Sequence, residues 1–173
     1  MNSGLNDVPG WTKNVLCVTT ALCAITGKTP GEIAELLARL ANDRGAAVSA
    51  DPSNPFNIKD WLKALASLDL EWLEVEDFSP TPYAARKSIS EYLLEPRADD
   101  TLLVFGEDSA GKMTHVFALR DDKLIDTYTD GKITIADPNK VPPDYNDFRV
   151  KRVFMIWPRG DAEFIEDGST PVA

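Results

Sequence analysis

The chain has one histidine and two cysteines, and their order along the sequence permits nucleophilic catalysis. Cys17 lies in the first strong helical pattern, residues 14–22. His115 begins an apolar alternation that predicts a β-strand, and Asp126 lies near the end of the next predicted strand. A thiol activated by an imidazole that a carboxylate orients is a nucleophile for acyl carbon. We therefore expect nucleophilic catalysis by the cysteine if these three side chains lie within hydrogen-bond distance of one another in the fold.

The position of each cysteine in the predicted helix separates the two thiols. Cys17 lies near the helix start, where the helix dipole favours the thiolate. Cys23 lies near the other end, where the dipole opposes ionisation, and we expect it to pack. The alternative for Cys17 is that it too is a buried packing residue. The spacing points the two side chains apart, so we expect free thiols, which suit a reducing cytoplasm.

The predicted hairpin brings the histidine close to an acid. A turn centred on Asp121-Asp122 would place Asp126 opposite Phe117, on the same face as His115 and diagonal to it. A carboxylate there could orient the imidazole as a general base. The alternative is a satisfied core histidine and an ordinary aspartate at the end of a strand.

Composition limits the classes of partner. The formal net charge of −10 argues against nucleic acid, which needs a cationic face, and equally against anionic membranes. The N-terminus has no signal-peptide pattern, and the apolar stretch Val15–Ile25 is shorter than the roughly 20 residues that span a bilayer. We expect a cytoplasmic protein with a protein or peptide as its substrate or partner. Its oligomeric state is left open.

Cofactor and metal chemistry are not expected. Two cysteines in one helix and a single histidine do not fit a zinc site. The segment Gly106–Met113 has a passing likeness to a phosphate-binding loop, but Met113 replaces the required Ser or Thr and a strand follows. This segment is better interpreted as a hairpin turn.

Helical patterns precede strand patterns along the chain. We predict a single domain at 1–160, with a helical part at 13–95, a sheet part at 101–158 and an acidic flexible tail at 161–173. The predicted helices cover 14–26, 29–44, a run from Asn57, and a run opening at Thr81-Pro82; the predicted strands cover 70–75, 101–105, 114–119, 123–128, 133–135 and 150–157. This order predicts an α+β fold, with N-terminal helices packed against one side of a C-terminal antiparallel β-sheet.

Two motifs carry a resemblance to a known family. Cys17-Val18-Thr19-Thr20-Ala21-Leu22 is followed by Thr26-Gly27-Lys28, and the strand begun by His115 is followed by a return strand ending in Ile125-Asp126-Thr127. Over residues 11–137 the chain resembles the papain-like cysteine peptidase fold, in particular small papain-like proteins of bacteria and their phages. The resemblance implies a papain-like fold with Cys17 as nucleophile, His115 as base and Asp126 as orienting acid.

The expected oxyanion donor departs from the family pattern. Papain-like enzymes usually place a glutamine several residues before the nucleophile, and this chain contains no glutamine. The nearest upstream amide is Asn14, one helical turn from Cys17, and the indole of Trp11 is the alternative donor.

The sequence is compatible with two classes of function. The first is a thiol hydrolase, a cysteine peptidase or amidase; deamidation or acyl transfer would use the same triad. The second is a papain-like binding protein with weak or no catalysis, for example a phage factor that engages a host protein.

Overall fold

The computed structural model describes residues 4–42, 58–95, 99–111 and 114–160, and within these ranges the chain has an α+β fold. The helices are α1 (Cys17–Thr26), α2 (Pro30–Asn42), α3 (Ile58–Ser67) and α4 (Ile89–Leu93). The strands are β1 (Leu70–Asp77), β2 (Thr101–Glu107), β3 (Thr114–Arg120), β4 (Lys123–Ile125), β5 (Thr134–Ile135) and β6 (Arg149–Pro158). The predicted α+β class is confirmed.

All six strands form one antiparallel sheet in the order β1-β6-β2-β3-β4-β5. The last strand, β6, is inserted between β1 and β2. The edge strand β1 comes from the part of the sequence predicted to be mainly helical. Strands β2 and β3 are antiparallel neighbours, as a hairpin requires. Of the segment 106–113, residues 106 and 107 belong to β2, and residues 112 and 113 lie outside the described residues.

Apolar residues of the sheet are buried on both of its faces. Leu103 and Val116 pack with α1, α2 and α3, whereas Val104 and Phe117, which alternate with them, pack with α4 and the segments before β6. The expectation that the helices cover one side of the sheet is therefore incomplete. Burial on both faces explains the continuous apolar run at the centre of β2.

Helix α1 begins at Cys17, three residues later than the predicted start at Asn14. Val15 closes a turn by donating its backbone N–H to Thr12 O at 2.9 Å, and Leu16 is the N-cap with an extended backbone. Cys17 is therefore the first residue of the helix. The predicted end is confirmed, because Gly27 adopts a left-handed φ of 71° and its N–H bonds to Cys23 O.

The run predicted to open a helix at Thr81-Pro82 is divided in two. Tyr83–Ala85 form a single 3₁₀ turn, which ends because Arg86 is extended. A new capping box then starts α4, in which the Ser88 side chain accepts from the backbone of Glu91 and the Glu91 carboxylate accepts from Ser88.

The other predicted capping box, Thr29 with Glu32, is present at the start of α2. The predicted cap at Asn57, the predicted end of the second helix near Arg44 and the tail at 161–173 lie outside the described residues. None of the helices in the described ranges is long and apolar enough to cross a bilayer.

The hairpin between β3 and β4 has a two-residue turn at Asp121-Asp122, with a left-handed φ of 53° at Asp121. Leu119 pairs with Leu124, so continuing this register places Asp126 opposite Phe117, as predicted. The return strand ends at Ile125 and does not extend to 128. It ends there because the Asp126 side chain accepts the backbone N–H of Thr127 and starts a 3₁₀ turn at Thr127–Thr129.

Candidate active site

The structure brings Cys17, His115 and Asp126 together where the start of α1 meets the start of β3. The His115 Nε2 lies 2.6 Å from Asp126 Oδ2. The Cys17 side chain lies close enough to the same imidazole to raise the pKa of His115. Because Nε2 is engaged by Asp126, Nδ1 is the ring nitrogen that remains for the thiol. The imidazole therefore bridges the sulfur and the carboxylate.

The His115–Asp126 pair is shielded from solvent, whereas the thiol is partly accessible. The exposed fraction is 5% for His115 and 1% for Asp126, and Cys17 has intermediate exposure. A buried carboxylate is costly unless hydrogen bonds satisfy it. Here the second oxygen, Asp126 Oδ1, accepts the backbone N–H of Thr127 and, at 3.0 Å, the Thr127 hydroxyl.

Electrostatics favour a protonated imidazole in this arrangement. Burial by itself lowers the pKa of His115, but the charge and hydrogen bond of Asp126, followed by those of Cys17, outweigh it and raise that pKa from 6.5 to about 10. The buried carboxylate is thus the main partner of an imidazolium. An imidazolium beside a cysteine sulfur is an arrangement that stabilises a thiolate nucleophile.

Three aromatic side chains surround the imidazole, and sequence reasoning placed only Phe117 beside His115, missing Tyr145 and Phe148. The ring centroid of Tyr145 lies 4.3 Å from that of His115, and those of Phe148 and Phe117 lie 5.6 Å and 6.0 Å away. Tyr145 belongs to the 3₁₀ turn Pro143–Tyr145, just before β6. Alternation along β3 indicated Phe117, but no local pattern in the sequence links Tyr145 to a strand thirty residues earlier.

The two candidate oxyanion donors have different surroundings. Asn14 is exposed in the turn that precedes α1. The Trp11 indole N–H donates to the hydroxyl of Thr20 at 3.2 Å, which ties the N-terminal segment to α1. In this arrangement the Trp11 donor is directed to the helix, whereas Asn14 is open to solvent.

The N-terminal segment also holds the loop that follows Asp126. Val8 N–H donates to Gly131 O at 2.8 Å, and Ile133 N–H donates to the Asp7 carboxylate at 2.8 Å. Gly131 has a left-handed φ of 66°. A Cβ there would lie 2.6 Å from Trp11 side-chain atoms, so only glycine allows the indole to pack this closely.

Cys23 is a core residue. It is fully buried, and this burial, followed by the charge of Glu32, raises the pKa of its thiol to about 12. Both cysteines are free. The structure therefore places the two thiols in different environments, one beside an imidazole and one in the core.

Comparisons with models of known protein families, with curated proteins and with solved structures give no match. The functional argument for this chain therefore depends on the geometry and chemistry of the site itself.

Proposed function

We propose that this protein is a papain-like thiol hydrolase that acts on an acyl group, with a peptide or protein amide as the substrate class. Cys17 is the nucleophile, His115 the acid–base and Asp126 the residue that orients it. One observation carries the proposal: a partly exposed thiol at the start of a helix interacts with a buried imidazole whose Nε2 lies 2.6 Å from a buried carboxylate.

The proposed reaction has two stages. In the first, the Cys17 sulfur attacks the acyl carbon, and His115, carrying the thiol proton, gives it to the leaving amine. In the second, His115 takes a proton from water, which attacks the thioester; the acid is released and the Cys17 sulfur leaves as the thiolate beside the imidazolium, which restores the starting pair. Asp126 keeps its charge throughout and stabilises the imidazolium each time it forms.

The developing oxyanion requires hydrogen-bond donors. The first turn of an α-helix offers backbone N–H groups without intrahelical acceptors, and the Leu16 N-cap of α1 supplies no side-chain acceptor for them. Cys17 opens this turn, so an oxyanion formed on its acyl group would lie at the positive end of the helix. The Asn14 side chain is proposed as the second donor.

A second candidate function is a papain-like binding protein with little or no turnover. The observation that favours it is the state of the two donors: the Trp11 N–H is already bound to Thr20, and Asn14 is exposed rather than held by its neighbours. Without a second fixed donor, acyl transfer loses a large part of its electrostatic stabilisation.

Acylation by an activated ester tests both candidates. We would incubate the wild-type protein with a p-nitrophenyl ester, follow nitrophenolate release and measure the intact mass. The hydrolase proposal predicts an acyl adduct on Cys17, absent from Cys17→Ala and retained in Cys23→Ala, which is the matched control. Asn14→Ala should reduce the rate by about 10²–10³, the usual effect of losing one oxyanion donor.

The outcomes separate the two functions. Ester turnover that survives Cys17→Ala would contradict the hydrolase proposal. Cys17 that reacts with alkylating agents but forms no acyl adduct in the wild-type protein would favour the binding protein. A panel of peptides would then identify the substrate of an active enzyme.

A further inference from the structure

Tyr145 contacts His115 directly and is linked to Asp126 through Thr127. Its ring lies against the His115 imidazole, with a centroid distance of 4.3 Å and a tilt of 33°. Its hydroxyl lies 3.1 Å from the Thr127 hydroxyl oxygen. Thr127 is the residue whose hydroxyl donates to Asp126 Oδ1 at 3.0 Å. One side chain thus reaches both members of the His115–Asp126 pair.

The direction of these hydrogen bonds follows from the number of protons. The Thr127 hydroxyl has one proton and gives it to the charged Asp126 carboxylate, so Tyr145 is the donor to Thr127. Burial raises the pKa of Tyr145 to about 12, so its hydroxyl keeps this proton at neutral pH. A chain of donors therefore runs from Tyr145 through Thr127 to Asp126.

We propose that Tyr145 is a positioning residue for the Cys17–His115–Asp126 site: its ring covers the imidazole, and its hydroxyl, through Thr127, holds the Asp126 carboxylate in line with His115. This inference rests on the proposed function. Excluding water from the charged pair strengthens the attraction between the two groups. Holding the carboxylate in one orientation fixes the direction of the imidazole, and small misplacements of a catalytic group cost large factors in rate.

The segment that carries Tyr145 is anchored from its other end. The Asp147 carboxylate accepts the Ser109 hydroxyl at 2.9 Å, and the Tyr83 hydroxyl donates to Asp147 as well. Asp147, two residues after Tyr145, therefore ties this segment to the β2–β3 connection and to the 3₁₀ turn that precedes α4. This anchoring restrains the segment whose tyrosine ring packs against His115.

The single histidine of the chain allows a direct test by NMR, since its imidazole signals need no assignment. We would measure the His115 pKa and the exchange of its Nε2 proton with water in the wild-type protein and in Tyr145→Leu, Tyr145→Phe and Thr127→Val. Thr29→Val is the matched control, because it removes a threonine hydroxyl from the start of α2.

The proposal predicts graded effects. Tyr145→Leu removes both contacts and should lower the His115 pKa by about one unit or more and speed proton exchange about tenfold, one unit being a tenfold change in the proton equilibrium. Tyr145→Phe keeps the ring and should match Thr127→Val, with a smaller effect on both quantities. Thr29→Val should change neither. Cys17 alkylation at neutral pH should slow in the same order.

Unchanged pKa and exchange in both Tyr145→Phe and Thr127→Val, with a folded Tyr145→Leu that also matches the wild-type protein, would overturn the positioning role. If Tyr145→Leu does not fold, the other two variants decide the result. The NMR measurement does not depend on turnover. Shifts without any acylation of Cys17 would support the positioning role while contradicting the hydrolase, and acylation with no shifts would do the reverse.

Discussion

Replacing Gly131 with alanine should loosen the contact that joins the N-terminal segment to the loop after Asp126. The added Cβ would lie 2.6 Å from the Cγ and Cδ1 atoms of Trp11 and 2.9 Å from its Cβ. Carbon atoms prefer separations of about 3.5–4.0 Å, so the indole has to move by roughly 1 Å. That movement strains the hydrogen bond from Trp11 to Thr20 on α1.

The expected loss of folding free energy in Gly131→Ala has two parts, which the control variant Gly10→Ala separates. Gly131 has a φ of 66°, and a left-handed conformation costs an alanine about 1–2 kcal/mol. Gly10 has a φ of 68°, but a Cβ added there would have no atom within 4 Å, so Gly10→Ala isolates this backbone cost. Overpacking adds about 1–3 kcal/mol at Gly131. Gly131→Ala should therefore lower the free energy of unfolding by about 2–5 kcal/mol in total.

Urea denaturation of the two single variants measures these quantities, and their difference gives the cost of the clash. Repeating Gly131→Ala in a Trp11→Ala background should remove the additional cost, since the clashing indole is gone. The Gly131 N–H also bonds to Asp126 O at 3.3 Å, so alkylation of Cys17 should slow in Gly131→Ala. Equal destabilisation by Gly10→Ala and Gly131→Ala would refute the close-packing argument.

Three further predictions concern the site. Cys17 should react with iodoacetamide at neutral pH much faster than buried Cys23, whose pKa is raised to about 12, as measured by peptide mass analysis; comparable rates would remove Cys17 as nucleophile. Asp126→Asn should lower the His115 pKa in NMR titration and slow Cys17 alkylation, because the main charge that favours the imidazolium is lost; an unchanged pKa would mean that the carboxylate has no such role. Because the folded-state pKa of His115 is raised, its contribution to stability is complete below pH 6.5 and is lost as the pH rises toward 10. The free energy of unfolding should therefore fall across that range more steeply in the wild-type protein than in His115→Asn. Parallel profiles for the two proteins would contradict this prediction.

Local chemistry determined several elements directly. Gly27 ends α1 because a left-handed residue is needed there, and the Thr29 and Glu32 side chains start α2 by capping it. The two-residue turn at Asp121-Asp122 sets the hairpin register, and with it the diagonal placement of Asp126 and His115. These features depend on residues within a few positions of one another, so a single sequence is sufficient to predict them.

The ends of helices and strands were harder to predict from the sequence where a side chain formed a hydrogen bond that interrupted the periodic pattern. The apolar run after Lys123 predicted a strand to 128, but the Asp126 carboxylate captures the N–H of Thr127 and bends the chain. The run after Thr81 predicted one helix, but the cap at Ser88 starts a separate one. In both cases a hydrogen bond to a side chain replaced the backbone bond that the periodicity implied.

The sequence by itself determined which residues could carry the chemistry: one histidine, a cysteine at a helix start and an aspartate at the correct hairpin register. Only the tertiary structure decided what surrounds them. Tyr145 reaches His115 from a segment just before β6, and Trp11 fits against Gly131 across more than a hundred residues. Such contacts arise because the antiparallel sheet and its N-terminal helix bring together segments that are far apart in the sequence. Periodicity and local propensity depend only on neighbouring residues, so they cannot predict these contacts.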